Sequence, residues 1–324
     1  ALSDVDGERG KLVVRGHDVE RLAATASFED VVALLLDGAL PDAARRETIR
    51  AALASARVRA FARLGTIGDA LIGDDGMDAL RAGLGHLAAR GDDIDAAEAM
   101  GALAVLPTAW SRGRAGLPAV APDESASQAS DYLRMLGGTA ATPAAVRALD
   151  TYLVTVADHG MNASTFTARV IASTGSDLVS ALVGAVGALK GPLHGGAPGP
   201  VLDMRDAIGS PERAEAWLEG ELTSGRRIMG MGHRIYRVRD PRAAGLESAL
   251  LRLEAAADGD APERARPGRL ALARAVEAAA NGVLSRRHPD RVLRANVEFY
   301  TAVLLDSIGI PRTAFSPTFA VGRA

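Results

Sequence analysis

A chain of 324 residues without a single cysteine can bury one or two sizeable cores, and it excludes disulfides, thiolate metal sites and cysteine nucleophiles together. Its formal net charge of -3 argues against a surface that coats nucleic acid or an anionic membrane, so any anionic ligand must be met by a local cluster of cations. The apolar stretches, such as residues 179–189, fall far short of the roughly 20 residues of a membrane span, and Ala1-Leu2-Ser3-Asp4 lacks the basic and apolar regions of a secretory signal. The missing cysteines fit a reducing compartment, and a cytoplasmic location is expected.

Alanine and leucine abound, aromatic residues make up only 4%, and most segments between glycine and proline breaks carry helical periodicity, so an all-α chain is expected. In chain order, Lys11-Leu12-Val13-Val14-Arg15, closed by Gly16, is the one good strand candidate and suits a short N-terminal β-hairpin. Residues 121–130 read as an exposed loop. Thr142-Pro143 supplies an N-cap followed by proline at the first helical position, and Val146, Leu149, Leu153 and Val156 share one face; that helix should run to His159 and stop at Gly160. Ser176-Asp177 caps the next, in which Leu178, Leu182, Val183, Val186 and Leu189 leave almost no polar face, so burial on nearly all sides is expected. Gly184 and Gly187 on this helix should admit a close neighbour, at about 1 kcal/mol each relative to alanine. Gly191-Pro192 ends it, and residues 256–269, with Gly259, Pro262 and Pro267, read as a second exposed loop. Nothing resembles a βαβ unit or an internal repeat.

Three of the six histidines stand among glycines, in Asp158-His159-Gly160, Gly191-Pro192-Leu193-His194-Gly195-Gly196 and Gly230-Met231-Gly232-His233-Arg234. Glycine beside a polar residue lets a ligand approach the backbone and tolerates unusual dihedrals, which serves a site better than a core. The bland alternative is a set of satisfied loop histidines at helix ends, and three such settings together weigh against it. Six arginines lie at 226, 227, 234, 237, 239 and 242, opposed within that window only by Asp240, and read as a local anion trap for the phosphates or carboxylates of a small ligand. A solvated charged face with intrachain pairs is the ordinary alternative. Glu298, in Asn296-Val297-Glu298-Phe299-Tyr300, is a carboxylate among apolar neighbours; burial would raise its pKa and strengthen it as a base.

The runs Asp158-His159-Gly160-Met161-Asn162-Ala163-Ser164-Thr165, 191–197, Gly-Met-Gly-His-Arg-Ile-Tyr-Arg-Val-Arg-Asp-Pro-Arg at 230–242, and Asn296 to Tyr300 occur in the order in which they closely resemble the citrate synthase family. Asp6-Gly7-Glu8-Arg9-Gly10 and Arg15-Gly16 look like that family's opening hairpin, and residues 315–323 match near the end, so the resemblance covers essentially the whole chain. It implies an all-α, two-domain helical fold with a large domain over 1–195 and 310–324 and a small domain over 196–309. It also implies an acyltransferase that condenses acetyl-CoA with oxaloacetate and then hydrolyses the thioester, in a homodimer. Acetyl-CoA or propionyl-CoA is then a co-substrate, and no permanently bound cofactor or metal is implied.

By the same resemblance His194 donates to the thioester carbonyl as it enolises, His233 polarises and protonates the keto group of oxaloacetate, and Glu298 is the base. His159, Arg242 and Arg323 match positions that bind oxaloacetate or citrate carboxylates. Arg237 matches a basic position near the CoA phosphates, and the backbone of Gly230, Met231 and Gly232 would line the CoA. The chemistry asks for such a set, because a thioester methyl group is too weak an acid for a carboxylate unless a preorganised donor stabilises the oxyanion. Two departures stand out. The family's base is most often Asp, and one added methylene is a displacement of the order at which about 10²-fold in rate is at stake. The family usually continues from its histidine-glycine run with Asn and an acid, whereas here Pro198-Gly199-Pro200 follows. The family also extends beyond the position of Ala324 into helices that include an arginine reaching the neighbouring subunit's site; without it, weaker oxaloacetate binding is expected. Competing readings are 2-methylcitrate synthesis from propionyl-CoA, a non-catalytic paralogue that binds a CoA ester or dicarboxylate, and a metal-dependent hydrolase using His159, His194 and His233. The last is disfavoured because these histidines lack the short helical spacing of familiar zinc motifs.

Overall fold

A computed structural model describes residues 2–88, 95–192, 194, 198–257 and 268–323. The chain opens with a three-stranded antiparallel sheet, β1 Ser3–Asp6, β2 Lys11–Val14 and β3 His17–Asp18, in which Ser3 pairs with Val14 and Val14 with His17. The expected strand is therefore one residue too long. Arg15 (φ 48°) and Gly16 (φ 85°) both take left-handed conformations, as a two-residue hairpin turn requires, and a third strand follows.

The helices are α1 Val19–Thr25, α2 Phe28–Asp37, α3 Ala43–Ala62, α4 Gly76–Ala88, α5 Ala96–Arg114, α6 Gln128–Gly137, α7 Pro143–Val156, α8 Ala163–Ala172 and α9 Leu178–Leu189, followed by α10 Pro198–Ile208, α11 Ala214–Thr223, α12 Pro241–Ala255, α13 Arg269–Arg287, α14 Val297–Ser307 and α15 Phe315–Arg323. The chain is all-α apart from the terminal sheet, as its composition implied. Among the described residues no helix is long and apolar enough to cross a membrane.

Two apolar clusters organise the packing. The smaller seats Leu12 and Val14 of β2, both almost fully buried, on α1, α2 and Val154 of α7, and each such side chain is worth about 2 kcal/mol of burial. The larger draws on α2 to α7 and α9 to α15, and includes Leu149, Leu153 and Val156 of α7 and Phe299, Tyr300 and Ala302 of α14. The loop expected at 121–130 ends at Ser127, which caps α6; Gln128 is fully buried, its amide donating to Glu29 and its side chain accepting from Arg57. Of the second expected loop, residues 258–267 lie outside the described residues; α12 ends before it at Ala255 and α13 begins after it at Arg269.

Helix α9 starts on its Asp177 cap and ends at Leu189 as expected, but only Val179, Ala181, Val186 and Leu189 are buried, and Leu178 is exposed. A continuous apolar pattern records that a helix meets apolar surroundings without recording whether its own chain supplies them. Gly184 is where α8 comes close, since a Cβ there would stand 2.3 Å from Ile171 Cδ1, while Gly187 faces open space.

Candidate active site

The carbonyl of Val156 decides where α7 ends, three residues short of His159. Arg323 Nε donates to it, occupying the acceptor that a further turn would have offered to the amide of Gly160. Gly322 makes this reach feasible, because a Cβ there would fall 2.7 Å from Val156 Cγ2, so α15 lies directly against α7. Gly160 (φ 64°) gives its N–H instead to Ser3 Oγ of β1, at 2.8 Å. His159 is thereby turned out of the helix, and its Nε2 lies 3.0 Å from the hydroxyl of Tyr236.

The segment 230–242 is spliced to the start of α14. Asn296 N–H donates to Gly230 O (2.9 Å), Gly232 N–H to Arg294 O (2.7 Å), and Asn296 Nδ2 to Gly232 O (2.9 Å). Gly230 (φ 74°) is required on two counts, since a Cβ would also lie 3.0 Å from Phe299 Cβ. Asn296 caps α14 by accepting from Glu298 N–H, so one set of bonds places both His233 and Glu298. Asp240 caps α12, accepts from Val297 N–H, and holds Arg242 by a two-pronged pair at 3.0 and 2.7 Å, both side chains buried. Leu293 and Phe299 thus wall the glycines while Arg242 NH2 lies 3.5 Å from His233 Nε2.

The three histidines are neutral, each for stated reasons. Burial first, then Arg242, pushes His159 down to about 2, with Arg323 and His233 adding and Asp240 opposing. Burial also lowers His194, aided by Arg323, and lowers His233, where Asp240 opposes and Arg242 adds. Backbone donors fix two of the tautomers. His194 Nε2 accepts from the N–H (3.3 Å) and lies 2.8 Å from the hydroxyl of Ser164, which leaves the ring proton on Nδ1. His233 Nδ1 accepts from the amides of Ile235 (3.0 Å) and Tyr236 (3.2 Å), two donors that outweigh the single longer approach of Arg242 NH2 to Nε2 (3.5 Å) and place the ring proton on Nε2. Glu298 is pushed up to about 7, first by burial and further by Asp240, against the pull of Arg242 and Arg323. Burial and Arg242 bring Arg323 down to about 10, so it remains a cation, stacked 4.8 Å over Phe319.

His159, His233, Glu298, Arg242 and Arg323, singled out from the sequence, therefore share one electrostatic neighbourhood, and His194 joins it through Arg323. Arg237 does not: its side chain is 63% exposed, its N–H donates to Gly7 O, and its guanidinium lies 4.0 Å from Glu8. The arginine window is also less of a trap than its local charge suggested. Arg226 pairs with Glu221, Arg239 with Glu247 and Glu277, and Arg242 with Asp240: carboxylates just outside the window reach back to it, and Glu277 arrives from α13, 38 residues on. Arg227, Arg234 and Arg237 remain exposed. Among the described residues no three His, Cys, Asp or Glu side chains are grouped as a metal ion needs, and the histidine nitrogens facing Ser164 and the 235–236 amides already accept protein hydrogens. Gly195 and Gly196 lie outside the described residues. Ser164, Tyr236, Asp240 and Ser3 are the contributors that motif reading left without a role; Asp240-Pro241 could have been found as a cap-and-proline helix start.

The sequence profile described as "Citrate synthase, C-terminal domain" matches residues 1–324. The chain belongs to the citrate synthase family. It is an acyltransferase of the citrate synthase type, which converts an acyl group into an alkyl group on transfer. It is 37% identical to "Putative citrate synthase 2" of Mycobacterium tuberculosis, over 99% of this chain and 82% of that protein. It is likewise 37% identical to the 2-methylcitrate synthase of the same organism, over 100% of this chain and 81% of the relative. Among solved structures, the citrate synthase of Thermoplasma acidophilum in a ternary complex with carboxymethyl coenzyme A and oxaloacetate superposes with a TM-score of 0.86 at 27% identity, covering 99% of this chain and 85% of that one.

Proposed function

We propose that the chain condenses acetyl-CoA with oxaloacetate and hydrolyses the resulting thioester to citrate and CoA. The observation that carries this reading is a pair of neutral histidines with opposite tautomers, Nδ1–H on His194 and Nε2–H on His233, beside a carboxylate of raised pKa, the buried Arg242 and the half-buried Arg323. In this mechanism Glu298 removes a proton from the acyl methyl group while the His194 Nδ1–H bonds the thioester oxygen and stabilises the enol or enolate. The new carbanionic carbon attacks the keto carbon of oxaloacetate, and the keto oxygen takes a proton at His233 Nε2. Water then cleaves the thioester and releases the free thiol. His159, Arg242 and Arg323 hold the dianionic keto acid, and the buried Asp240 fixes the Arg242 fork for bidentate contact. The acyl-CoA lies along Gly230, Met231 and Gly232, whose splice leaves the Met231 peptide groups out of its own bonds, with Arg237 at the exposed phosphate end.

The large domain over 1–195 and 310–324 and the small domain over 196–309 would close on the bound substrates and exclude water that would otherwise hydrolyse the thioester early. A homodimer in the cytoplasm is part of the same proposal; exposed Phe166, Val170 and Leu178 on α8 and α9, with Met161 just before α8, support the dimer. Equal identity to a 2-methylcitrate synthase supports propionyl-CoA as the alternative acyl donor, a difference of one methyl group worth about 1 to 3 kcal/mol. Thiol release is the deciding assay, with acetyl-CoA and propionyl-CoA each offered with and without oxaloacetate. Oxaloacetate-dependent release is expected, and the faster acyl donor names the activity. Ligand binding without any thiol release would overturn the proposal in favour of a non-catalytic binding protein.

A further inference from the structure

Tyr236 is 1% exposed, and among the described residues its hydroxyl has a single partner, His159 Nε2 at 3.0 Å. Its ring lies 4.7 Å from that of His233 and 5.6 Å, edge-on, from that of His159, and its own amide donates to His233 Nδ1. One residue therefore touches both histidines. Through its hydroxyl it also supplies the one side-chain hydrogen bond, among the described residues, from the 230–242 segment to the end of α7.

We propose that Tyr236 is a positioning residue that sets the tautomer of His159, donating its hydroxyl proton to Nε2 so that the ring proton sits on Nδ1 and is offered to a substrate carboxylate. Two arrangements are compatible with the short contact. If His159 carried its proton on Nε2 and donated it to the tyrosine oxygen, the phenolic proton would be a buried donor with no acceptor, and an Nδ1 lone pair would face an anionic ligand. The first fault costs a desolvated donor, and the second repels the substrate. If the phenol donates, its proton is satisfied and Nδ1–H, which makes no hydrogen bond among the described residues, is left for the ligand. Burial first, with the positive neighbours Arg242 and Arg323 adding to it, keeps the ring from taking a second proton, so the choice lies between the two neutral forms. The same device operates at His194 and His233, where backbone amides select the tautomer; at His159 a side chain does so, and it can be removed without altering the chain.

The proposal rests on the assignment of His159 to oxaloacetate binding, but its first test does not depend on turnover. Nitrogen-15 spectra of the ligand-free protein, with His159 identified by the signal missing from His159→Gln, report which ring nitrogen carries the proton. Protonated Nδ1 and a hydrogen-bonded, unprotonated Nε2 are expected in the native chain, with the proton moving wholly or partly to Nε2 in Tyr236→Phe. In steady state, Tyr236→Phe should raise the oxaloacetate KM about tenfold, the size of one lost hydrogen bond, with kcat and the acyl-CoA KM within about twofold. A native protein protonated at Nε2 overturns the proposal, and so does a Tyr236→Phe variant in which neither the tautomer nor the KM moves. Absence of turnover in the native chain would instead count against the condensation reading and leave the tautomer result standing.

Discussion

Glu298 sits in the first turn of α14 with no hydrogen bond from another side chain among the described residues, so its ionisation is governed by burial against the reach of Arg242 and Arg323. As the proposed base it must be ionised, and a value of about 7 means that kcat/KM for the acyl-CoA should rise with pH through an acid limb centred near 7 and level off above it. Stability follows the opposite course. The folded value lies above the unfolded 4.5, so the native state keeps a proton that the unfolded chain has released. The penalty is absent below pH 4.5, grows as pH rises towards 7, and is constant beyond. Replacing Glu298 with Gln should therefore stabilise the protein at pH 8 by roughly 2 kcal/mol, allowing for the partial exposure of the residue, with no difference near pH 4. The same variant should lose at least about a thousandfold in condensation rate. Denaturation at the two pH values together with a rate profile checks this; a Gln variant that is active, or less stable at pH 8, would remove Glu298 from the role.

At the scale of elements, the hairpin is more than a cap on the core. Ser3 of β1 accepts from Gly160 beside His159, and Gly7, in the turn between β1 and β2, accepts from the amide of Arg237 beyond His233. A Cβ on Gly7 would stand 2.3 Å from the carbonyl oxygen of Ile235, and backbone cannot yield as a side-chain tip can. Gly7→Ala should thus displace residues 235–239, cost about 1 to 3 kcal/mol in stability, and raise the oxaloacetate KM several-fold. Thermal melts and oxaloacetate titration measure both, and an unchanged KM would detach the hairpin from substrate binding. These contacts also explain what could be read in the sequence. The strand at β2, the caps at Thr142 and Asp177 and the glycine-flanked histidines are local signals, and all were legible. The end of α7 was not, because Arg323 takes the Val156 carbonyl from 167 residues away. Nor could the pairing of Arg239 with Glu277 be read, since the carboxylate arrives from a helix whose relation to the arginine is purely tertiary. Tyr236 went unrecognised for the same reason: its partner lies 77 positions earlier in the chain.

For the whole molecule the decisive surface is the one that α8 and α9 leave uncovered. Phe166 of α8 and Met161 just before that helix are each 60% exposed, Val170 and Leu178 are exposed on α8 and α9, and Gly187 presents bare backbone to open space. Within one chain, this side of α9 contradicts its own composition, since a helix of Leu, Val, Ala and Gly with Ser180 as its single polar residue has no polar face with which to meet water. In the proposed homodimer a second copy of the chain would resolve the conflict, because an isologous contact sets the same face against itself, and a glycine at its centre allows close approach. In that arrangement a charge at Phe166 is harmless to the isolated protomer, where the side chain is already in solvent, but it becomes buried and unpaired at the interface. Phe166→Glu combined with Val170→Glu should therefore convert a dimer into a monomer that keeps its helical content, with a melting temperature that has lost its dependence on protein concentration. Light scattering and sedimentation at matched concentrations separate the outcomes. A native chain that is monomeric throughout, or a double variant that remains a dimer, would assign this face to something other than a second copy.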